Sequence, residues 1–125
     1  MEKRAISVGT TLGPYSPGLE FQHTDRVLFV SGQIPIDAEG NVVSTEFAAQ
    51  AAQVFNNIRG ILKAGEYEMK DVLKLTIYLT DLSNFAAVNE ECKKNFAEPF
   101  PARATVQISA LPKGVLLEVE AIAAR

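Results

Sequence analysis

Arg103 is the only charged residue in the segment 102–110, and it follows directly on the run Phe100, Pro101, Ala102. A guanidinium so placed can clamp the carboxylate of a small molecule through two parallel hydrogen bonds, a geometry that a flexible ammonium cannot match. Two residues further along supply the opposite charge: Glu118 and Glu120, spaced by two, fall on one side of an extended segment. The isolated arginine suits binding of a small organic carboxylate, and the two glutamates put two carboxylates on one side of a sheet. Other chemistries lack their residues. The single His23 has no partner for nucleophilic or metal chemistry and reads as a turn or surface residue, and the single Cys92 reads as a small core residue on an apolar helix face. No metal or cofactor is expected.

The elements that must position these residues follow from hydrophobic periodicity. Residues 27–36 begin with Val27, Leu28, Phe29 and Val30, a short apolar run typical of a buried strand, and end in polar and turn residues, Ser31 to Pro35. Across 46–64, Phe47, Ala51, Phe55, Ile58 and Leu62 recur at helical spacing, with Ser44 or Thr45 as cap and Gly65 as stop. Leu73, Leu75, Ile77 and Leu79 then alternate with Lys74, Thr76, Tyr78 and Thr80, which predicts a strand with one apolar face. Ser83 is expected to cap a second helix bearing Phe85, Val88, Cys92 and Phe96, which Pro99 and Pro101 end. Its run Glu90, Glu91, Lys93, Lys94 reads as a solvated face.

Two strands close the chain, 102–110 and 115–123, joined by Leu111 to Gly114. Period two puts Arg103, Thr105, Gln107 and Ser109 on one side of the first. The simplest pairing of the two is a hairpin, with the register left open. With both helices on one sheet face, the other face is expected to expose Thr76, Tyr78, Thr105 and Gln107. An uncharged polar face of that kind suits contact between subunits.

Composition bounds the partners. The chain has 125 residues, 47% hydrophobic, which suits one domain, 1–125. Fifteen acidic and 12 basic residues give a net charge of -3 without a basic stripe, so nucleic acid is not the expected partner. No apolar run reaches the length of a membrane span or a signal core, and a cytoplasmic protein is expected.

Taken in order, Gly13-Pro14-Tyr15-Ser16, Ser31-Gly32-Gln33-Ile34-Pro35, Phe85 to Asn89, Phe100 to Arg103, Leu111-Pro112-Lys113 and Glu118-Val119-Glu120-Ala121 resemble the Rid family, also called YjgF, the reactive intermediate deaminases. The resemblance implies an α+β fold of the chorismate-mutase-like type, a single mixed β-sheet with two helices on one face. It also implies a homotrimer with sites in the clefts between subunits. In that fold the last strand lies between two earlier ones, which displaces the hairpin reading.

The activity implied is hydrolysis of 2-imino acids such as 2-iminobutanoate and 2-iminopropanoate, which arise by tautomerisation of enamines, to 2-oxo acids and ammonia. Such hydrolysis would remove these intermediates before they damage pyridoxal-phosphate enzymes. Carried over by motif, Arg103 corresponds to the carboxylate clamp and Glu118 to the glutamate beside the attacking water, with Tyr15, Ser31, Gly32 and Asn89 as supporting positions. Thr105 stands where several members have cysteine, and it retains a backbone amide and a small hydroxyl. Glu120 reads as structural. A second reading is a non-catalytic trimer that binds or senses a small carboxylate such as a 2-oxo acid; it needs the arginine but not the water-activating glutamate. An RNA-directed activity, also attached to the family, fits poorly with the acidic balance.

Overall fold

An apolar stripe at helical spacing in front of a glycine makes helix α1, Phe47–Ala64, whose Ala51, Val54, Phe55, Ile58 and Leu62 are buried. In the computed structural model, which describes residues 2–125, α1 packs on strands β3, Val27–Gln33, and β6, Leu117–Ala124. The cap differs from expectation. Ser44 Oγ accepts from the Glu46 amide, and Glu46 opens the helix without a side-chain cap. Buried Gln50 ties the first turn inward: its Nε2 donates to Ser44 O and its Oε1 accepts from Leu116 N, both at 2.8 Å. Gly65 ends the helix, its N–H returning to Ile61 and Leu62 carbonyls.

The remaining elements are β1, Glu2–Ile6; β2, Gly18–Gln22; β4, Val72–Leu79; α2, Phe85–Asn95; and β5, Ala102–Gln107. Strand order in the main sheet is β3-β6-β4-β5, with β4 and β5 parallel and β6 antiparallel to both its neighbours. The last strand is therefore internal, and β5 is an edge. The hairpin pairing of the last two strands is corrected, because β4, whose Leu75, Ile77 and Leu79 match Ala121, Val119 and Leu117, lies between them. The strands also divide between two sheets rather than one: β1 and β2 form a separate antiparallel pair. Their mostly exposed residues show no clear alternation of burial, so periodicity gives no signal for them.

Helices cover one sheet face. On it Leu75, Ile77, Leu79, Leu117 and Val119 are fully buried, and Phe55 of α1 meets Phe96 edge-on, centroids 5.9 Å apart. Two details of the second helix are corrected. Asp81, not Ser83, supplies the cap, accepting from the Ser83 amide at 2.9 Å and opening a short 3-10 turn before α2. Those hydrogen bonds hold the Asp81 carboxyl below its ordinary pKa. Glu91 is buried rather than solvated, with Asn95 and Lys94 against its carboxylate.

Candidate functional site

Register decides which candidates can meet. Arg103 pairs with Leu75 and Thr105 with Ile77, so both side chains leave the sheet on the helix-covered face. Gln107, paired with Leu79, follows them, and its Oε1 accepts from Leu82 N. This corrects the expectation that Thr105 and Gln107 share the open face with Thr76 and Tyr78. The register of β5 against β4 joins odd positions to odd positions, and the odd positions of β4 are the apolar ones. At the sheet edge the polar side chains of β5 reach the rim beside α2 instead of entering the core.

Glu118 and Glu120 pair with Tyr78 and Thr76 and project from the other face. Within one protomer, then, Arg103 and Glu118 stand on opposite sides of the sheet. Ser31 and Gly32 belong with Glu118. A register shift between Val30 and Gln33 carries β3 past β6 there, and a methyl group added at residue 32 would come within 2.4 Å of Glu118 Oε2. The close approach at this glycine is thus made by the Glu118 side chain. Nearby, a recess of about 260 Å³ is lined by Phe29, Ser31, Lys74, Thr76 and Glu120 among others. Glu120 is engaged by Tyr78, whose hydroxyl donates to Oε1 at 2.7 Å, and this bond raises the Tyr78 pKa.

On the helix side, the loop before β2 is fastened to the start of β5. Ser16 N donates to Pro101 O at 3.0 Å and Ser16 Oγ to Phe100 O at 2.6 Å. This brings Tyr15 over Arg103, the guanidinium carbon lying 4.9 Å from its ring centroid and 5.4 Å from that of Phe85. Asn89 of α2 joins the parts: its Oδ1 accepts from Arg103 Nη2 at 2.8 Å while its Nδ2 donates to Leu12 O at 3.1 Å. Gly13 must be small for this contact, since a Cβ there would fall 2.3 Å from Asn89 Oδ1. Tyr15, Asn89, Arg103 and Thr105 are therefore brought together.

Leu12, Tyr15, Phe85, Arg103 and Thr105 line a recess of about 140 Å³. Among the described residues, Arg103 Nη1 and Thr105 Oγ1 are the buried side-chain polar atoms without a hydrogen-bond partner. An unsatisfied buried donor costs about 1–3 kcal/mol, more when charged, and both atoms belong to residues of this recess. Cys92 lies in the core as expected; burial pushes its thiol pKa up, while the nearby Arg103 charge pulls the other way. Leu12 and Phe85 are the lining residues that the reading of candidate site residues missed: Leu12 lies outside the quoted motifs, and Phe85, inside the run Phe85 to Asn89, reads as part of the apolar helix face. A larger groove of about 500 Å³ between residues 5–16 and 98–100 shares Tyr15 but holds no cation. Among the described residues, no three His, Cys, Asp or Glu side chains converge as a metal site, and no helix is long and apolar enough to cross a membrane.

The family model described as Endoribonuclease L-PSP matches residues 6–125. The chain belongs to the Rid/YjgF family. Among its Rid relatives, the human protein named 2-iminobutanoate/2-iminopropanoate deaminase is 40% identical over 122 residues, covering 97% of this chain and 89% of the relative. A RutC family protein of Pyrococcus horikoshii is 45% identical over 113 residues, covering 90% of this chain and 87% of its own length. The crystal structure of RidA from an Antarctic Psychrobacter superposes with a TM-score of 0.77 at 41% identity, over 93% of this chain and 92% of that one. The α+β architecture is thus that of Rid proteins.

Proposed function

We propose that this Rid protein hydrolyses 2-imino acids to 2-oxo acids and ammonia, with Arg103 holding the substrate carboxylate. The observation that carries the reading is the state of the guanidinium. Asn89 accepts from Nη2 and the Tyr15 and Phe85 rings lie beside the guanidinium, while buried Nη1 has no hydrogen-bond partner, which supports an anion as the acceptor it lacks. Relatives named as 2-iminobutanoate/2-iminopropanoate deaminases, 38–42% identical, support the reaction class.

In this reading water adds to the imine carbon, the nitrogen gains a proton, and the carbinolamine collapses to a carbonyl as ammonia leaves. No covalent enzyme intermediate is needed. Glu118 positions the water and takes its proton, assistance worth about 100- to 10,000-fold in rate. Thr105 contacts the ligand through its amide or hydroxyl, Asn89 and Tyr15 steady the clamp, and Ser31 and Gly32 shape the Glu118 side. Because Arg103 and Glu118 leave opposite sheet faces, the complete site forms between neighbouring subunits of a homotrimer, the partner's open face bringing Glu118 to the Arg103 recess. The protein acts in the cytoplasm on a small molecule, without cofactor or nucleic acid.

The same separation supports a second reading: the Arg103 recess can bind a small carboxylate with no contribution from Glu118, as a non-catalytic sensor of 2-oxo acids would. The deciding experiment follows 2-oxo acid and ammonia formation from imino acids generated in situ, with wild type, Arg103→Ala, Glu118→Gln and no protein. Acceleration by wild type, lost in both variants, is expected. Binding without acceleration, lost only in Arg103→Ala, selects the sensor; full activity in Arg103→Ala removes the clamp from the mechanism.

A further inference from the structure

Leu12 is held in place by its backbone while its side chain is left outside the core. Its N–H donates to Tyr15 Oη at 3.2 Å and its carbonyl accepts from Asn89 Nδ2 at 3.1 Å, so the two residues that flank Arg103 also grip Leu12. The turn behind it is fastened as well, with Thr11 Oγ1 and Tyr15 N both bonded to Gly13 O. Despite four such constraints on the segment, the Leu12 side chain remains 76% exposed, at the mouth of the recess that contains Arg103. Val8, on the same approach to the loop, is also exposed, but it lines no recess with the arginine.

The charges of the recess are simple. Of its lining residues only Arg103 is charged, and Leu12 and Phe85 supply apolar surface. A carboxylate on Arg103 uses the one cation that this lining contributes. A second carboxylate on the same ligand would meet leucine and aromatic carbon with no counter-charge among these lining residues, and a charge that gives up water there without a partner is disfavoured.

We infer that Leu12 is a specificity-determining residue: with Phe85 it receives the side chain of the bound acid and selects monocarboxylates with an apolar side chain over dicarboxylates. This rests on the carboxylate-clamp reading of Arg103. Covering an exposed leucine with substrate carbon removes apolar surface from both, and each methylene placed in such a contact discriminates by about 10- to 200-fold.

The test measures inhibition or binding constants for three 2-oxo acids, 2-oxobutanoate, 4-methyl-2-oxopentanoate and 2-oxoglutarate, with wild type, Leu12→Ala, Leu12→Lys and Arg103→Ala, and the assembly state of each by light scattering. Wild type is expected to rank the aliphatic acids above 2-oxoglutarate. Leu12→Ala should narrow that ratio by about 10-fold, and Leu12→Lys should shift it toward the dicarboxylate by pairing with the second carboxyl group. An unchanged ranking in both Leu12 variants, with binding still dependent on Arg103, overturns the inference and leaves the clamp standing. A change in assembly without a change in ranking also overturns it and makes Leu12 a contact between copies. Binding indifferent to Arg103→Ala removes the clamp and the inference together.

Discussion

The two faces of the four-stranded sheet are built from the same strands and come to opposite ends. On the covered face Leu75, Ile77, Leu79 and Val119 are sealed beneath α1 and α2, and the buried polar atoms left without a partner, Arg103 Nη1 and Thr105 Oγ1, belong to the edge strand β5. On the open face Phe29 is 75% exposed beside Lys74, Thr76, Tyr78, Glu118 and Glu120. The first face has finished its work on folding. The second carries a carboxylate and an apolar ring in a surface that water alone does not explain, while the matching cation sits at the rim of the first. A strand with period two can therefore serve two purposes at once: Glu118 and Val119 are adjacent in sequence, yet one holds the core together and the other faces outward.

The sharpest way to break this contrast is to truncate one apolar residue on each face. Ile77→Ala should cost about 2–5 kcal/mol of folding stability, because the cavity left in the covered face cannot refill. Phe29→Ser should leave protomer unfolding nearly unchanged and instead weaken association; denaturant unfolding and light scattering on both variants check this. Equal destabilisation would mean that the faces are not different in kind.

Next comes the rim. Removing one partner of a desolvated charge pair costs about 2–5 kcal/mol, so Arg103→Ala should lower the rate of imine hydrolysis by roughly 100- to 1,000-fold without altering stability as Ile77→Ala does. Arg103→Lys should also fail, since the fork is lost. Steady-state rates beside thermal unfolding separate the two effects.

Gly32→Ala is smaller and more local. The added methyl group would overlap Glu118 Oε2, so the carboxylate must swing away. A rate loss of about 10-fold is expected, with KM moving less than kcat because a transition-state contact is displaced. A change in KM alone would assign Glu118 to ground-state binding.

Smallest is the alkaline response of the open face. The Tyr78 hydroxyl donates to Glu120, which raises its pKa above the ordinary value of 10.0. This contribution to stability is fully present below the unfolded phenol pKa and is lost as pH rises through the higher folded value. Tyr78→Phe should therefore lose some stability at neutral pH and show a flatter decline above about pH 10, read from Tm against pH. Parallel curves would place the hydrogen bond outside the stability balance.

Much of this arrangement was legible in the residues. The alternation of Leu73 to Thr80 and the stripe from Phe47 to Leu62 each report one buried face, and both elements form with nearly the expected bounds. The ordered motifs also located the loop, the helix and the strand that converge on Arg103. Facing was not legible. Period two states that Arg103 and Thr105 share a side, but which side depends on the pairing with β4, a register that involves residues about 28 positions away. The β1–β2 pair escaped because its strands lack a clear alternation of burial. Asp81 displaced Ser83 as a cap because a short 3-10 turn precedes α2, and Leu12 carried no chemical signature until its backbone contacts were seen.

The central claim, that imine hydrolysis takes place at a site shared between subunits, is tested most directly by co-expressing Arg103→Ala with Glu118→Gln. Each variant alone should be inactive. Over all homotrimers formed by random assembly from equal amounts, with one site per interface, an intact Arg103 meets an intact Glu118 at about a quarter of the sites. Recovery of deaminase activity near that fraction of wild type is the predicted result. Mixed assemblies as inactive as either parent would contradict the shared site.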